Sequence, residues 1–307
     1  MSKRVCAISV DLDPIYHYLS ARGLEPIDAT NINAVYDDAL PRFLDIFDQY
    51  DVKATFFVVG NDSKHPKNRA MIRELANRGH EVANHTLNHN QAFYRLSPDE
   101  QRDEIQEADK ILSDIIGDKI KGFRAPGWGV NAETLNILES LGYAYDSSVF
   151  ASCVAPIIKL VNSLLNRGRL ESSLSSNPMM GLAPKLPYRP SGDSIWKRGK
   201  AKIVELPTTI LPVVQLPFLG TLLYMLGPHF FNLCFSYFNL FDRPLLYELH
   251  GIELVDYYSS INDDRLLVKP GLGKKIDSKI SLYNFMLSKF SEKYSFRLMR
   301  DVASDLL

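Results

Sequence analysis

The order of elements along the first half of the chain predicts an α/β fold with a largely parallel sheet. Short apolar runs rich in β-branched residues, typical of buried strands, alternate with longer segments that carry apolar residues at helical spacing. Glycine, proline and asparagine separate these segments. Polar residues gather where the predicted strands end, which is where parallel α/β folds place their active sites.

The predicted elements follow one another with short turns. Ser97 is the predicted N-cap of one helix and Pro98 its first residue, because a serine oxygen accepts from a free N–H of the first turn. We predict strands at 5–10, 53–59, 80–84, 122–124, 203–207, 245–249 and 296–299 and helices at 32–50, 66–78, 97–116, 131–141 and 280–293.

Composition limits the class of protein. A chain of 307 residues is long enough for one large domain or two small ones, and we expect a single domain over 1–307. The formal net charge of −1 and the lack of a basic stripe argue against nucleic-acid binding. Cys6, Cys153 and Cys234 show no Cys-x-x-Cys spacing, which argues against a disulfide framework or a cysteine zinc site. With no signal peptide in evidence, we expect a cytoplasmic location.

Two segments depart from the alternating pattern. Residues 150–202 are rich in serine, asparagine, proline and glycine, so we expect an irregular insertion that could form a lid over the site. Residues 206–241, hereafter the apolar segment, contain no Asp, Glu, Lys or Arg. Its prolines and glycines disfavour a membrane span and predict two short apolar helices. These helices could lie in a membrane interface or belong to the core, and the sequence leaves both readings open.

Two motifs together predict a metal site. Asp11 and Asp13 are two residues apart at a strand end, where alternate side chains point the same way. His85 and His89 are four apart after a later strand, so a helical turn or a tight loop can bring both imidazoles to one ion. Either motif alone would be read as a cap or an ordinary histidine. Two imidazoles and one carboxylate leave positions open for water and substrate, as in a catalytic site.

Ordered motifs resemble those of a known family. They are Asp11-x-Asp13, Asn84-His85-Thr86-x-x-His89, Phe123-Arg124-Ala125-Pro126-Gly127-Trp128 and Leu249-His250. In this order they resemble the polysaccharide deacetylases, which are carbohydrate esterase family 4 with the NodB-homology fold. The resemblance implies a distorted (β/α) barrel of about seven strands, here with an irregular insertion and an apolar helical flap. The spaced aspartates are nearest to a branch that includes lipid-linked sugar deformylases.

The resemblance also assigns roles to residues. It implies that Asp13, His85 and His89 bind a divalent metal, expected to be zinc, although the ligand set also suits other first-row ions. Asp11 would be the general base that takes a proton from the attacking water. Arg124 would pair with Asp11 and hold it in place.

The remaining roles concern the leaving group and the oxyanion. His250 would be the general acid that protonates the departing amine. A backbone N–H near Gly127, in the substrate-lining turn with Pro126 and Trp128, would donate to the oxyanion. The aspartate that tunes the acid histidine in this family has no clear counterpart, and Asp193 is the weak candidate.

These roles imply metal-dependent hydrolysis of an N-acetyl or N-formyl group from an amino sugar. The apolar segment lies between Glu205 and His250, so we expect it near the site and infer a lipid-linked sugar at the inner membrane face, bound by a peripheral enzyme. This is similar to the deformylase acting on undecaprenyl-phosphate aminoarabinose. The alternatives are an amidohydrolase for a small soluble amide and an inactive carbohydrate-binding homologue. The sequence predicts neither the acyl group nor the number of chains that assemble.

Overall fold

The computed structural model describes residues 3–28, 30–154 and 181–307. Ten strands occur in these ranges. They are β1 Arg4–Leu12, β2 Thr55–Val58, β3 Glu81–Asn84, β4 Gly122–Phe123, β5 Tyr145–Asp146, β6 Pro190–Ser191, β7 Ser194–Arg198, β8 Val204–Glu205, β9 Leu245–His250 and β10 Tyr294–Phe296. Eight of them form one parallel sheet, and β6 and β7 form a separate antiparallel hairpin.

The large sheet curls into an incomplete barrel. Its strands follow the order β9-β1-β2-β3-β4-β5-β8, and β10 pairs with the first residues of β1. Near the open seam, the Thr209 N–H donates to the Leu246 carbonyl at 3.0 Å, and the Leu246 N–H donates to Thr209 Oγ1 at 2.8 Å. Seven strands therefore surround the interior, which confirms the predicted distorted barrel.

Helices cover the outside of the barrel. Within the described ranges they are α1 Ile15–Ser20, α2 Leu40–Gln49, α3 Pro66–Asn77, α4 Pro98–Ile116, α5 Ala132–Leu141, α6 Gly220–Phe238, α7 Ile276–Lys293 and α8 Met299–Ser304. The α4 helix begins with a capping box between Ser97 and Glu100 and ends at Gly117, whose φ of +71° is left-handed. Ser97 is thus the N-cap, as predicted.

Aromatic rings join the helices to the barrel. On α2, Phe43 and Phe47 are fully buried, and Phe43 meets Tyr283 of α7 edge to face at 5.5 Å. On α6, Phe231 lies 5.8 Å from Phe290 of α7, measured between ring centroids. Each ring of this size that leaves water contributes roughly 1.5–3 kcal/mol, so these contacts hold α2, α6 and α7 in place.

The apolar segment contributes side chains to both the core and the surface. Its helix α6 is interrupted at Gly227 (φ +76°) just before Pro228, so it consists of two short helical pieces, in agreement with the prediction. Phe218, Phe231 and Phe235 are buried in the main core. Six other apolar side chains of the segment are exposed: Val213, Val214, Met225, Leu226, Leu233 and Leu240. In the described part of the chain, no helix is both long and apolar enough to span a bilayer.

Several elements differ from the prediction. The six-residue α1 and the β6–β7 hairpin are not predicted, because short elements with little periodicity leave a weak signal. The last strand ends at Phe296, and Met299 begins α8 instead of closing a strand. Most of the predicted insertion, residues 155–180, lies outside the described residues, so its role as a lid stays a prediction.

Gly122 provides a test of the barrel packing. A Cβ at this position would lie 2.0 Å from Tyr145 Cζ on the neighbouring strand β5. We expect Gly122→Ala to lower the free energy of unfolding by about 1–3 kcal/mol or more, because the buried ring cannot move away freely. Urea denaturation measures the change. Gly192→Ala is the control, since a Cβ there meets no atom within 4 Å; equal stability of the two variants would contradict the packing described.

Candidate active site

Strand register brings the predicted site residues to one edge of the sheet. Val58, Asn84 and Phe123 pair in one row across β2, β3 and β4. The next residues along two of these strands are His85 and Arg124. Parallel strands end at the same edge, so residues far apart in sequence meet there.

Asp13, His85 and His89 converge on one point. Asp13 Oδ1 lies 3.3 Å from His85 Nε2 and 3.1 Å from His89 Nε2, and all three residues are buried. Ligand atoms bound tetrahedrally at about 2.0–2.1 Å from zinc lie about 3.3 Å from one another. The spacing therefore fits a first-row divalent ion.

The unsatisfied atoms of the cluster support the same conclusion. Asp13 Oδ1 is buried and has no hydrogen-bond partner among the described residues, which is costly unless a cation or proton occupies the space between the three residues. His85 Nδ1 lies 2.7 Å from the Arg124 carbonyl oxygen, so Nδ1 carries the proton and Nε2 presents its lone pair to the cluster. This is the arrangement that a metal ligand requires.

A tight loop, not a helix, brings the two histidines together. Thr86 and His89 have φ values of +66° and +53°, and side chains in the loop stabilise these unusual conformations. Asn84 Oδ1 accepts from the Thr86 N–H at 2.8 Å, and Thr86 Oγ1 accepts from the His89 N–H at 3.1 Å. Two side chains of the Asn-His-Thr-x-x-His motif, Asn84 and Thr86, thus stabilise the loop that holds both histidines.

Gln91 completes the surroundings of His89. Its Nε2 lies 3.4 Å from His89 Nδ1, and its Oε1 is buried without a partner. A metal-bound His89 carries its proton on Nδ1 and needs an acceptor there. A half-turn of the Gln91 amide supplies that acceptor and satisfies the buried oxygen.

Electrostatics favour the metal-binding forms of Asp13 and His89. Burial alone would raise the pKa of Asp13, but His89 and His85 outweigh burial and hold this pKa well below its usual range. Burial lowers the pKa of His89, with His85 and His17 adding to the effect, so its neutral form is favoured. A carboxylate and a neutral imidazole are the forms that bind metal.

Asp11 is held by a buried arginine. Arg124 Nη1 donates to Asp11 Oδ1 at 2.5 Å, while Nη2 donates to Ser9 Oγ and Ser147 Oγ at 3.1 and 2.9 Å. The other carboxylate oxygen, Asp11 Oδ2, lies 3.9 Å from His85 Nε2 and so faces the metal cluster. The structure brings Asp11, Arg124 and the cluster together, as the sequence predicts.

His250 lies between two buried glutamates. It pairs in register with Asp11 across β9 and β1. Its Nε2 is 3.6 Å from Glu248 Oε1 and its Nδ1 is 3.8 Å from Glu253 Oε1. Burial lowers the pKa of His250, but Glu253, Glu248 and Asp11 outweigh burial and raise this pKa to about 9. The imidazole is therefore cationic at neutral pH.

Glu253 is a site residue that the sequence reasoning missed. Asp193, the candidate for tuning His250, is exposed in the β6–β7 turn, where its carboxylate accepts from Ser191 Oγ. Among the described residues, the carboxylates within 4 Å of His250 belong to Glu248 and Glu253. The prediction for Asp193 is therefore wrong. The sequence did contain a signal for Glu253, namely its spacing. Glu253 follows His250 by three residues, so one turn of the chain brings the two side chains together.

Comparison with known proteins shows a family resemblance in part of the chain. Residues 28–145 match the model of the polysaccharide deacetylase family, a range that includes both cluster histidines and Arg124. This part of the chain resembles the polysaccharide deacetylases. The matched range excludes Asp11, Asp13 and His250, which the fold brings to the same site.

The chain is similar to two curated peptidoglycan deacetylases. It is 31% identical over 106 residues to a peptidoglycan-N-acetylglucosamine deacetylase of Bacillus cereus, covering 33% of this chain and 38% of that one. It is 25% identical over 159 residues to the peptidoglycan deacetylase of Helicobacter pylori, covering 51% and 53%. The chain thus spans about half or less of the length of these curated relatives.

A solved structure shares the fold of this chain. A predicted polysaccharide deacetylase from Mycobacterium smegmatis superposes with a TM-score of 0.64 and 16% identity, covering 99% of this chain and 91% of that one. At this identity the likeness shows the fold alone, and it agrees with the barrel described above.

The Pro126–Trp128 turn forms one wall of the site. Gly127 and Trp128 have φ values of +58° and +54°, and Trp128 Nε1 donates to Glu248 Oε2 at 3.3 Å. The Trp128 ring meets His250 edge to face at 6.4 Å. The Trp128 N–H donates to the Ala125 carbonyl at 3.1 Å. The oxyanion donor near Gly127 stays a prediction.

A titration tests the role of Glu253. In the metal-free protein, NMR should show the His250 ring titrating near pH 9, well above the ordinary value of about 6.5. We expect Glu253→Gln to lower this pKa, because the neutral amide no longer favours the imidazolium. Asp193→Asn is the matched control and should leave it unchanged. A His250 pKa that moves with Asp193, or with neither residue, would contradict the assignment.

Proposed function

We propose that the protein hydrolyses the N-acyl group, acetyl or formyl, of an amino sugar in a metal-dependent reaction. The observation that carries this proposal is the convergence of Asp13, His85 and His89 within 4.8 Å of one another, beside the base candidate Asp11. The resemblance to the family supports deacylation of an amino sugar, and the ligand set supports zinc, with other first-row ions as alternatives.

In this proposal the bound ion supplies Lewis acidity and acidifies a water molecule. Asp11 takes the proton of the attacking water through Oδ2, since Arg124 occupies Oδ1. Arg124 keeps that carboxylate fixed and turned toward the cluster. The Gly127 N–H donates to the oxygen that becomes negative during attack, where one such donor contributes about 2.7–4 kcal/mol.

His250 then donates its proton to the departing amine. It lies beside Asp11 on the neighbouring strand, and its raised pKa keeps the proton available at neutral pH. Glu253 and Glu248 favour the imidazolium and fix the ring. Because the protonated form is the active one, kcat should fall as pH rises through the pKa of His250.

Paired substitutions separate the two aspartates. We expect Asp13→Asn to weaken zinc binding more than about 100-fold and to abolish amine release. Loss of a residue that only hydrogen-bonds to a metal ligand typically weakens binding about 10–100-fold, and loss of a ligand itself should cost more. We expect Asp11→Asn to retain zinc and to lose about 10²–10⁴-fold in kcat. Elemental analysis measures the metal, and fluorescamine measures the amine released from N-formyl and N-acetyl amino sugars.

A wild-type protein that binds no divalent metal, or that releases no amine from any substrate of the panel, would overturn the proposed function. Asp193→Asn serves as the surface control and should behave like wild type, because Asp193 lies in an exposed turn away from the site. Circular dichroism of each variant checks that the barrel has folded.

We further propose that the sugar is lipid-linked and that the enzyme works at a membrane face. Met225 and Leu226 on α6 are 62% and 47% exposed, although they are apolar. The start of α6 contacts the site, because Thr221 Oγ1 donates to Glu253 Oε1 at 3.1 Å. Exposed apolar side chains next to an active site support contact with lipid. A cytoplasmic location stays a prediction from the sequence.

Vesicle binding tests this second proposal. Wild-type protein should cosediment with vesicles of phosphatidylcholine and phosphatidylglycerol, and Met225→Ser with Leu226→Ser should weaken binding at least about tenfold, because each buried side chain contributes roughly 1.5–3 kcal/mol. Leu306→Ser, 41% exposed at the C-terminus, is the control. A wild-type protein that ignores vesicles would refute membrane association and leave the deacylase proposal standing.

A further inference from the structure

Two buried carboxyl groups lie side by side at the ends of β5 and β8. Asp146 and Glu205 are register partners on these neighbouring parallel strands, and both residues are fully buried. Register partners direct their side chains to the same side of the sheet. The two carboxyl groups are within hydrogen-bond reach of each other. Two carboxylates this close in a buried site repel each other strongly, so they do not both ionise readily.

Each of the two carboxyl groups has one oxygen bonded to a donor and one oxygen without a donor. Asp146 Oδ1 accepts from Ser148 Oγ at 2.5 Å, and Glu205 Oε1 accepts from the Val149 N–H at 2.9 Å. Asp146 Oδ2 and Glu205 Oε2 are buried, and neither has a hydrogen-bond partner among the described residues. Two acceptor oxygens can bond to each other only through a proton, so this geometry requires one proton between them.

The groups around the pair do not replace that proton. Arg124 is bonded to Ser147, next to Asp146, but its Nε, Nη1 and Nη2 all donate to other residues. Tyr188 pairs with Glu205 through two backbone hydrogen bonds, and its hydroxyl donates to a backbone carbonyl. Burial raises the pKa of both carboxyl groups, and the charge of Asp146 raises the pKa of Glu205 further. At neutral pH, Glu205 is therefore a carboxylic acid that donates to the Asp146 carboxylate.

Hydrogen bonds connect Asp146 to the wall of the proposed active site. Ser148 Oγ, which donates to Asp146, accepts from the Ala125 N–H at 2.8 Å. Ala125 lies between Arg124 and the Pro126–Trp128 turn. The backbone that carries both of these groups is thus bonded to the carboxyl pair through one hydroxyl.

A second connection runs through the residues that follow the pair on each strand. Ser147 Oγ accepts from Arg124 Nη2 at 2.9 Å and donates to the Leu206 carbonyl at 2.8 Å. Leu206 directly follows Glu205. The guanidinium that holds Asp11 therefore depends on contact between the ends of β5 and β8, where the carboxyl pair lies.

We propose that Asp146 and Glu205 share one proton and are positioning residues, which hold Arg124 and the Pro126–Trp128 turn in place for catalysis. The catalytic part of this inference rests on the proposed function. The proton stays on the pair and takes no part in the reaction. Its loss leaves two buried carboxylates that repel each other, which weakens the contact between β5 and β8.

Glu205→Gln tests the shared proton, because an amide N–H can donate to Asp146 Oδ2 at any pH. The folded wild-type protein keeps a proton that the unfolded chain releases above about pH 4.3, so its stability should fall as pH rises toward the pKa of the pair. We expect the urea midpoint of Glu205→Gln to rise relative to that of wild type over the same pH range. Glu81→Gln is the matched control: both oxygens of this buried carboxylate already accept from donors, so the amide should lower the midpoint at neutral pH.

Two further measurements test the positioning role. In metal-free protein, the NMR amide signals of Ala125 and Val149 should shift as the pair loses its proton, and Glu205→Gln should abolish this shift. Glu205→Leu, which leaves Asp146 Oδ2 and the Val149 N–H unpaired, should lose about tenfold or more in amine release, because small displacements in an active site are costly. Glu205→Gln should restore most of that loss.

The outcomes separate the shared proton from the proposed function. Glu205→Gln that keeps the pH dependence of wild-type stability, or an Ala125 amide signal that titrates in this variant as in wild type, overturns the shared proton. Folded Glu205→Leu that releases amine at the wild-type rate overturns the positioning role. Wild-type protein that releases no amine refutes the proposed function and the catalytic role of the pair together, whereas the stability and NMR results decide the shared proton by themselves.

Discussion

The buried ion pair between Arg124 and Asp11 is the interaction on which the rest of the site depends. The guanidinium ties β1 to the ends of β4 and β5 through Asp11, Ser9 and Ser147, and it lies 4.1 Å over the Phe57 ring. The backbone carbonyl of the same residue orients His85. One residue thus positions both the proposed base and a proposed metal ligand, and removing either charge of such a buried pair costs about 3–5 kcal/mol.

Around this pair the protein buries several charges that would be costly in isolation. Burial raises the pKa of Glu248, and the charge of Arg124 opposes this shift. Glu248 Oε2 accepts a hydrogen bond from Thr208 Oγ1 at 2.6 Å. Glu253 accepts from Tyr283 at 2.7 Å and from Thr221. Cations and anions therefore alternate from Arg124 through Glu248 and His250 to Glu253. The ion pairs and hydrogen bonds of this network restrict the positions of the side chains at the site.

Much of this arrangement could be predicted from the sequence because it depends on strand ends. The positions of Asp11, Asp13, His85, Arg124 and His250 follow from short apolar runs that stop at polar residues, and parallel strands necessarily end at one edge. Glu253 could not be found in this way, since it lies in a 3₁₀ turn after β9 and reaches His250 by a local return of the chain.

In the apolar segment, too, the sequence predicts only part of the structure. Its composition predicts helices but does not assign faces, because most of its residues are apolar and none is Asp, Glu, Lys or Arg. Only packing against β9 and α7 decides that Phe231 is buried and Met225 exposed. The interruption of α6 at Gly227 and Pro228 also allows its two helical pieces to present different faces.

The most direct measurement is anomalous diffraction at the zinc edge from crystals grown with zinc. The account predicts one strong peak about 2.0–2.2 Å from Asp13 Oδ1, His85 Nε2 and His89 Nε2 together. A peak elsewhere, or these three side chains turned away from a shared ion, would contradict it.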